Sequence, residues 1–150
     1  MTWFHVTTNK IKYIKTNFDQ SVNIKPNGLW CSYKDEWIKW CKNEGFSTFD
    51  TDNYYLYELV FNPEAKILTI DSLEKYMSLE KYRVVKHNLN IFDWNKIKID
   101  YDGVAFLNYH KIKSDMLRTK KIDSLILSLD INSCCVWNHV YKLNFVKHYV

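Results

Sequence analysis

The sequence predicts an α+β domain, on three observations. Strand-like runs outnumber helical ones, and the two kinds are interspersed without a regular β-α alternation. The third is composition: 150 residues and 18.1 kDa, 47% hydrophobic and 25% charged, which suits one globular domain over residues 1–150 and excludes a disordered chain. Glycine is scarce, with Gly28, Gly45 and Gly103 standing as isolated as Pro26 and Pro63. Walker loops and G-x-G-x-x-G dinucleotide turns need clustered glycines and are excluded.

Taken in order, Thr2 to Thr7 alternates β-branched and aromatic residues and reads as a strand with His5 in its middle. Asn9 to Phe18 is lysine-rich and reads as a short helix or a loop. Lys25-Pro26-Asn27-Gly28 signals a turn, and Leu29-Trp30-Cys31 a second strand. Ser32 is the expected N-cap of a helix, with Asp35 and Glu36 in its first turn and Gly45 past its end. Tyr33, Trp37, Trp40 and Cys41 then form an apolar stripe toward the core.

Tyr54 to Phe61 is strongly β-prone and stopped by Asn62-Pro63. Lys66 to Ile70 reads as another strand, after which Asp71 or Ser72 caps a helix lined by Leu73, Tyr76 and Met77. A further helix is expected after Asp93, with Trp94, Ile97 and Tyr101 inward, ended by Tyr101-Asp102-Gly103 and followed by a strand from Val104 to Leu107. Asp102 reads first as a turn residue. Lys111 to Lys121 is a basic loop or exposed helix, and Leu125 to Leu129, Cys134 to Trp137 and Tyr141 to Tyr149 complete the apolar segments.

Six Trp and eleven Tyr give more rings than a small core hides, so some are expected to line a pocket or contact surface. The net charge of +4 is almost wholly lysine. Lys10, Lys12 and Lys15, and Lys111, Lys113, Lys120 and Lys121 with Arg118, are solvated faces or contacts to nucleic-acid phosphates. Cys31, Cys41, Cys134 and Cys135 lack C-x-x-C spacing and read as reduced thiols of an intracellular protein. Adjacent Cys134 and Cys135 are expected to be one buried and one exposed. Cys31, beside the expected helix start, sits where a thiolate is favoured. His87, His110, His139 and His148 are scattered, and no metal site is expected. Residues 1–15 contain no apolar leader-like run and no segment has bilayer-spanning length, so a cytoplasmic, membrane-free location is expected.

Several segments, in order, resemble the ADP-ribosyltransferase fold family, which includes diphtheria-toxin-like enzymes and poly(ADP-ribose) polymerases. Trp3-Phe4-His5-Val6-Thr7 is similar to the strand bearing the family's His-Gly-Ser or His-Gly-Thr. Gly28-Leu29-Trp30-Cys31-Ser32 is similar to its second motif, Gly-Leu-Tyr-hydrophobic-small, which leads into a helix. Tyr57-Glu58-Leu59 to Asp71 resembles the following pair of strands, and Tyr101 to Val104 a late strand. Asp130 to Asn138 stands where the family has its third motif, usually built around a glutamate.

The resemblance implies two small, mostly antiparallel sheets forming a split NAD-binding cleft flanked by short helices. It implies NAD as substrate, cleavage of the nicotinamide glycosidic bond, and mono-ADP-ribosylation of a protein or nucleic-acid acceptor. His5 is then the group that hydrogen-bonds NAD beside Thr7, Gly28 belongs to the second motif, Trp30 stacks on nicotinamide in place of tyrosine, and Ser32 is the small pocket residue. The chain departs from the family at the third motif, because no glutamate occurs after Glu80. Asp130 is the nearest carboxylate and the expected catalytic group together with His5, and Asn132 and Ser133 are neutral ligand groups. Either Asp130 supports transfer, or the domain binds NAD without it. The competing reading is an interaction domain that uses aromatics and lysines to hold a protein or single-stranded nucleic acid.

Overall fold

Side-chain caps and one left-handed glycine mark four of the helix ends. The computed structural model describes residues 2–45, 51–121 and 123–150. Along the chain run β1 (Trp3–Thr7), β2 (Leu29–Tyr33), α1 (Glu36–Glu44), β3 (Tyr54–Phe61), β4 (Ile67–Ile70), α2 (Leu73–Met77), a 3-10 turn (Glu80–Tyr82), β5 (Arg83–Lys86), β6 (Leu89–Phe92), α3 (Trp94–Asp100), β7 (Gly103–Phe106), α4 (Tyr109–Thr119), α5 (Ser124–Ser128), β8 (Ser133–Val136) and β9 (Tyr141–Tyr149). Ser72 Oγ accepts the Lys75 N–H at the start of α2, and Asp93 and Asp123 cap α3 and α5 in the same way. Gly45, at φ +61°, closes α1 in the left-handed conformation.

The architecture is mixed, with short helices, a seven-stranded sheet in the order β4-β7-β8-β2-β1-β3-β9 and a separate β5-β6 hairpin. Pairing is antiparallel except between β4 and β7, which run parallel. The strands thus divide seven to two, not into two small sheets. Within the large sheet the ladder is uneven. β1 pairs with β3 from Trp3 to Thr7, and β2 with β8 from Leu29 to Ser32, yet β1 and β2 pair only at Trp3–Tyr33 and Phe4–Ser32. Both strands continue past the point where their shared ladder stops.

Two clusters pack on the sheet. The larger gathers Leu68, Ile70, Val104 and Phe106 of the sheet against Tyr76, Trp94, Ile97, Ile112, Met116 and Ile126 of α2 to α5. The smaller holds Trp3, Cys31, Leu59, Ala105, Cys134 and Val136. Every residue of β7 and β8 is buried, as in strands covered on both faces. Cys134 and Cys135 are therefore both fully buried, one in each cluster, and the expected exposed thiol is corrected. No helix among the described residues is long and apolar enough to cross a membrane.

Two local expectations shift. Ser32 is not a helix cap but a residue of β2, paired with Phe4 on one side and Ser133 on the other, and α1 begins after Asp35. Its buried positions are Ile38 and Cys41, while Trp37 and Trp40 are half-buried and stack on each other at 5.2 Å. The segment from Lys111 to Lys121 belongs mostly to α4, whose buried residues Tyr109, Ile112 and Met116 lie at helical spacing.

Gly28 precedes β2, where the chain runs close against β8. A Cβ there would lie 2.6 Å from the Val136 carbonyl oxygen and 2.7 Å from Cys135 Sγ. The backbone oxygen cannot step aside without disturbing the β2–β8 ladder, so Gly28→Ala is expected to destabilise the fold by about 1–3 kcal/mol in denaturant unfolding. Wild-type stability in that variant would contradict the close-packing role.

Candidate functional site

Where the β1–β2 ladder ends, a cavity of about 390 Å³ opens, a size within the range of small-molecule sites. β1 contributes Phe4, His5 and Val6, β2 contributes Trp30, Cys31 and Ser32, and Ser133 comes from the first residue of β8. Leu129, Asp130 and Ile131 of the preceding loop close another side, with Trp37 of α1 and Lys25. Lys25 also lies over the Trp30 ring, its Nζ 5.8 Å from the centroid.

His5 links the two strands beyond the end of their ladder. Its Nδ1 lies 2.9 Å from the Trp30 carbonyl oxygen. A carbonyl can only accept, so Nδ1 carries the proton and donates, which leaves Nε2 as the ring's other polar atom. Burial by itself lowers the imidazole's proton affinity, but hydrogen bonding and charge from Cys31 and the bond to Trp30 outweigh it and raise its pKa. For the Cys31 thiol the burial effect is upward, and hydrogen bonds with Cys134 and His5, with the imidazole's charge, bring it down to about 7. The downward shift thus comes from side chains of the two neighbouring strands, Cys134 of β8 and His5 of β1. Burial drives Cys134 and Cys135 well upward, and raises Cys41 as well.

Ser133 is the other distinctive group. It is 7% exposed, lines the cavity, and its Oγ has no hydrogen-bond partner among the described residues. Buried hydroxyls are ordinarily paired, so this one is available to a ligand. Ser32 is also buried, with its Oγ donating a long 3.4 Å bond to the Lys34 carbonyl. Asp130 is exposed on the cavity's loop side.

His5, Trp30, Ser32, Asp130 and Ser133, all singled out from the sequence, therefore share one cavity. Thr7, Gly28 and Asn132 do not line it. Thr7 Oγ1 accepts the Asn9 N–H, and Gly28 is used in the close approach to β8. Asn132 is consumed structurally. Its N–H and side-chain amide donate to the two carboxylate oxygens of Glu36 at 2.9 and 3.1 Å, its Oδ1 accepts the Tyr109 N–H at 2.8 Å, and its carbonyl accepts the Tyr33 N–H at 3.0 Å. Those bonds tie the loop before β8 to α1, α4 and β2, so Asn132 positions the loop.

Sequence reasoning missed Lys25, Trp37, Leu129 and Ile131 as lining residues, and Glu36 as the clamp on Asn132. Trp37 had a signal in its amphipathic position, whereas the Glu36–Asn132 contact joins residues 96 apart and leaves no local trace. Among the described residues no group of three or more His, Cys, Asp and Glu side chains is arranged to hold a metal ion. No family model, curated protein or solved structure matches the chain.

The thiol chemistry is directly testable. Because the thiolate is the nucleophile, alkylation by iodoacetamide is expected to modify the cavity-lining Cys31 ahead of the three other buried cysteines, with a rate that rises with pH about a midpoint below that of an ordinary thiol. In His5→Ala the midpoint should move upward. A wild-type midpoint near that of an ordinary thiol contradicts the His5–Cys31 coupling.

Proposed function

We propose that this chain binds NAD in the cavity at the end of the β1–β2 ladder and transfers its ADP-ribose to a macromolecular acceptor. The observation that carries the reading is convergence. His5 of the first resembling motif, Trp30 and Ser32 of the second, and Asp130 and Ser133 of the third line one cavity although they are spread over most of the chain. The interrupted ladder between β1 and β2 supports the same reading, since it divides the large sheet into a β4-β7-β8-β2 part and a β1-β3-β9 part with the cavity at their junction.

On this reading the nicotinamide ring stacks on Trp30, and its carboxamide takes the unpartnered Ser133 hydroxyl. His5 addresses a ribose hydroxyl from the cavity wall, its ring oriented by the Nδ1 bond to the Trp30 carbonyl. Lys25 offers its charge to the diphosphate. The bond from ribose C1′ to the pyridinium nitrogen breaks with its electron pair going to nicotinamide, leaving an oxocarbenium ion. Asp130 stabilises that positive charge as it develops. The acceptor nucleophile then bonds to C1′ and loses its proton. An aspartate side chain is one methylene shorter than glutamate, so the reaction requires C1′ to approach the 129–131 loop more closely than a glutamate would.

The test is nicotinamide release from NAD by wild-type protein and Asp130→Ala. Removing a charge-stabilising group of this kind costs roughly two orders of magnitude in rate. Since Asp130 is exposed, the melting temperature should stay close to wild type. Unchanged release in the variant removes the catalytic assignment, and saturable NAD binding by wild type without any release selects the binding-only form of the proposal.

A further inference from the structure

A second cavity, of about 290 Å³, shares no lining residue with the first and contains a buried arginine that the proposed chemistry does not use. Arg83 opens β5, and its side chain is 5% exposed. The guanidinium is fixed on several sides. Its carbon lies 4.7 Å from the Tyr76 ring centroid and 4.4 Å from that of Phe92, and Nη1 donates to Asp123 Oδ2 at 2.8 Å. Asp123 is itself held by the Tyr76 hydroxyl and by the Leu125 N–H at 3.0 Å.

What remains is the other edge. Nε and Nη2 are buried and have no hydrogen-bond partner among the described residues. These two atoms form the side-on face of a guanidinium, whose parallel N–H groups match two oxygens of an oxyanion. Glu80 places Oε1 3.5 Å from Nε without making a hydrogen bond, and its side chain is 63% exposed, so it competes for this edge without filling it. Lys121, Ser124 and Asn90 add donors around the same cavity. That is more donor capacity than the two oxygens of a carboxylate use, and it suits a tetrahedral group with three free oxygens.

We propose that this cavity binds the phosphate group of a small phosphomonoester on the Nε–Nη2 edge of Arg83. Asp123 orients the arginine, and Glu80 stands at the mouth of the site and is displaced by the ligand. The space beyond the phosphate takes the ester's organic part.

The experiment is thermal melting and calorimetric titration of the full chain, without NAD, using inorganic phosphate, glycerol 3-phosphate and acetate at matched ionic strength. Both phosphates are expected to raise the melting temperature and acetate to leave it unchanged. A larger effect from glycerol 3-phosphate identifies an ester as the ligand, and equal effects identify free phosphate. Glu80→Gln should bind several-fold more tightly by removing the competing carboxylate, and Lys121→Ala, an exposed change, several-fold more weakly. Arg83→Lys, which keeps the charge but loses the fork, should lose at least tenfold. The proposal is overturned if neither phosphate binds to wild type or Glu80→Gln, if acetate matches phosphate, or if a folded Arg83→Lys binds as wild type does. None of these readouts depends on nicotinamide cleavage, so this site and the NAD site fail or stand separately.

Discussion

The short ladder between β1 and β2 is the constraint from which the rest of the site follows. Adjacent antiparallel strands ordinarily satisfy each other's backbone groups along their shared length. Here regular pairing stops after Phe4–Ser32, and the next inter-strand bond comes from a side chain, with His5 donating from Nδ1 to the Trp30 carbonyl. An imidazole in that role keeps the strands connected while leaving room between them, and it brings a titratable ring against Cys31. The cavity opens at this exchange of a ladder bond for a histidine, and the same histidine joins Cys134 in lowering the Cys31 thiol.

The opposite wall is held by different means. The 129–132 loop has no regular structure of its own, yet Asn132 gives it bonds to α1, α4 and β2, using Glu36 as a two-oxygen acceptor. Asp130 and Ser133 flank this anchor, the first exposed at the rim of the cavity and the second buried at the start of β8. β8 can hold that position because both of its faces are packed and because Gly28 and Gly103 let the neighbouring chain segments approach its backbone. A rigid central strand beside an interrupted ladder gives a preorganised wall next to a space, an arrangement suited to orienting a ligand without large rearrangement.

The sequence was most legible where the signal is local. Ser72, Asp93 and Gly45 mark helix ends through their own side chain or backbone conformation, and Tyr54 to Phe61 is a strand by composition alone. It was less legible where long-range packing decides. Ser32 has the chemistry of a cap, but ladders on both sides draw it into β2. Cys134 and Cys135 alternate as any strand does, and only the presence of two packed layers buries both. The β5–β6 hairpin escaped notice because its turn uses His87 and Asn88 at positive φ in place of a glycine pair. Five motif residues from the sequence meet at the cavity, whereas Asn132 is claimed by a distant glutamate that no local pattern announces.

Whether NAD is the ligand of the β1–β2 cavity is decided by the melting temperature of the protein with and without NAD. A ligand bound only by the folded chain at a hundred times its dissociation constant adds about 2.7 kcal/mol of stability. For a chain of this length each kcal/mol is worth roughly 2–4 °C, so NAD binding in this cavity is expected to give a rise on the order of 5–10 °C that saturates with NAD. A melting temperature that stays constant up to millimolar NAD contradicts it.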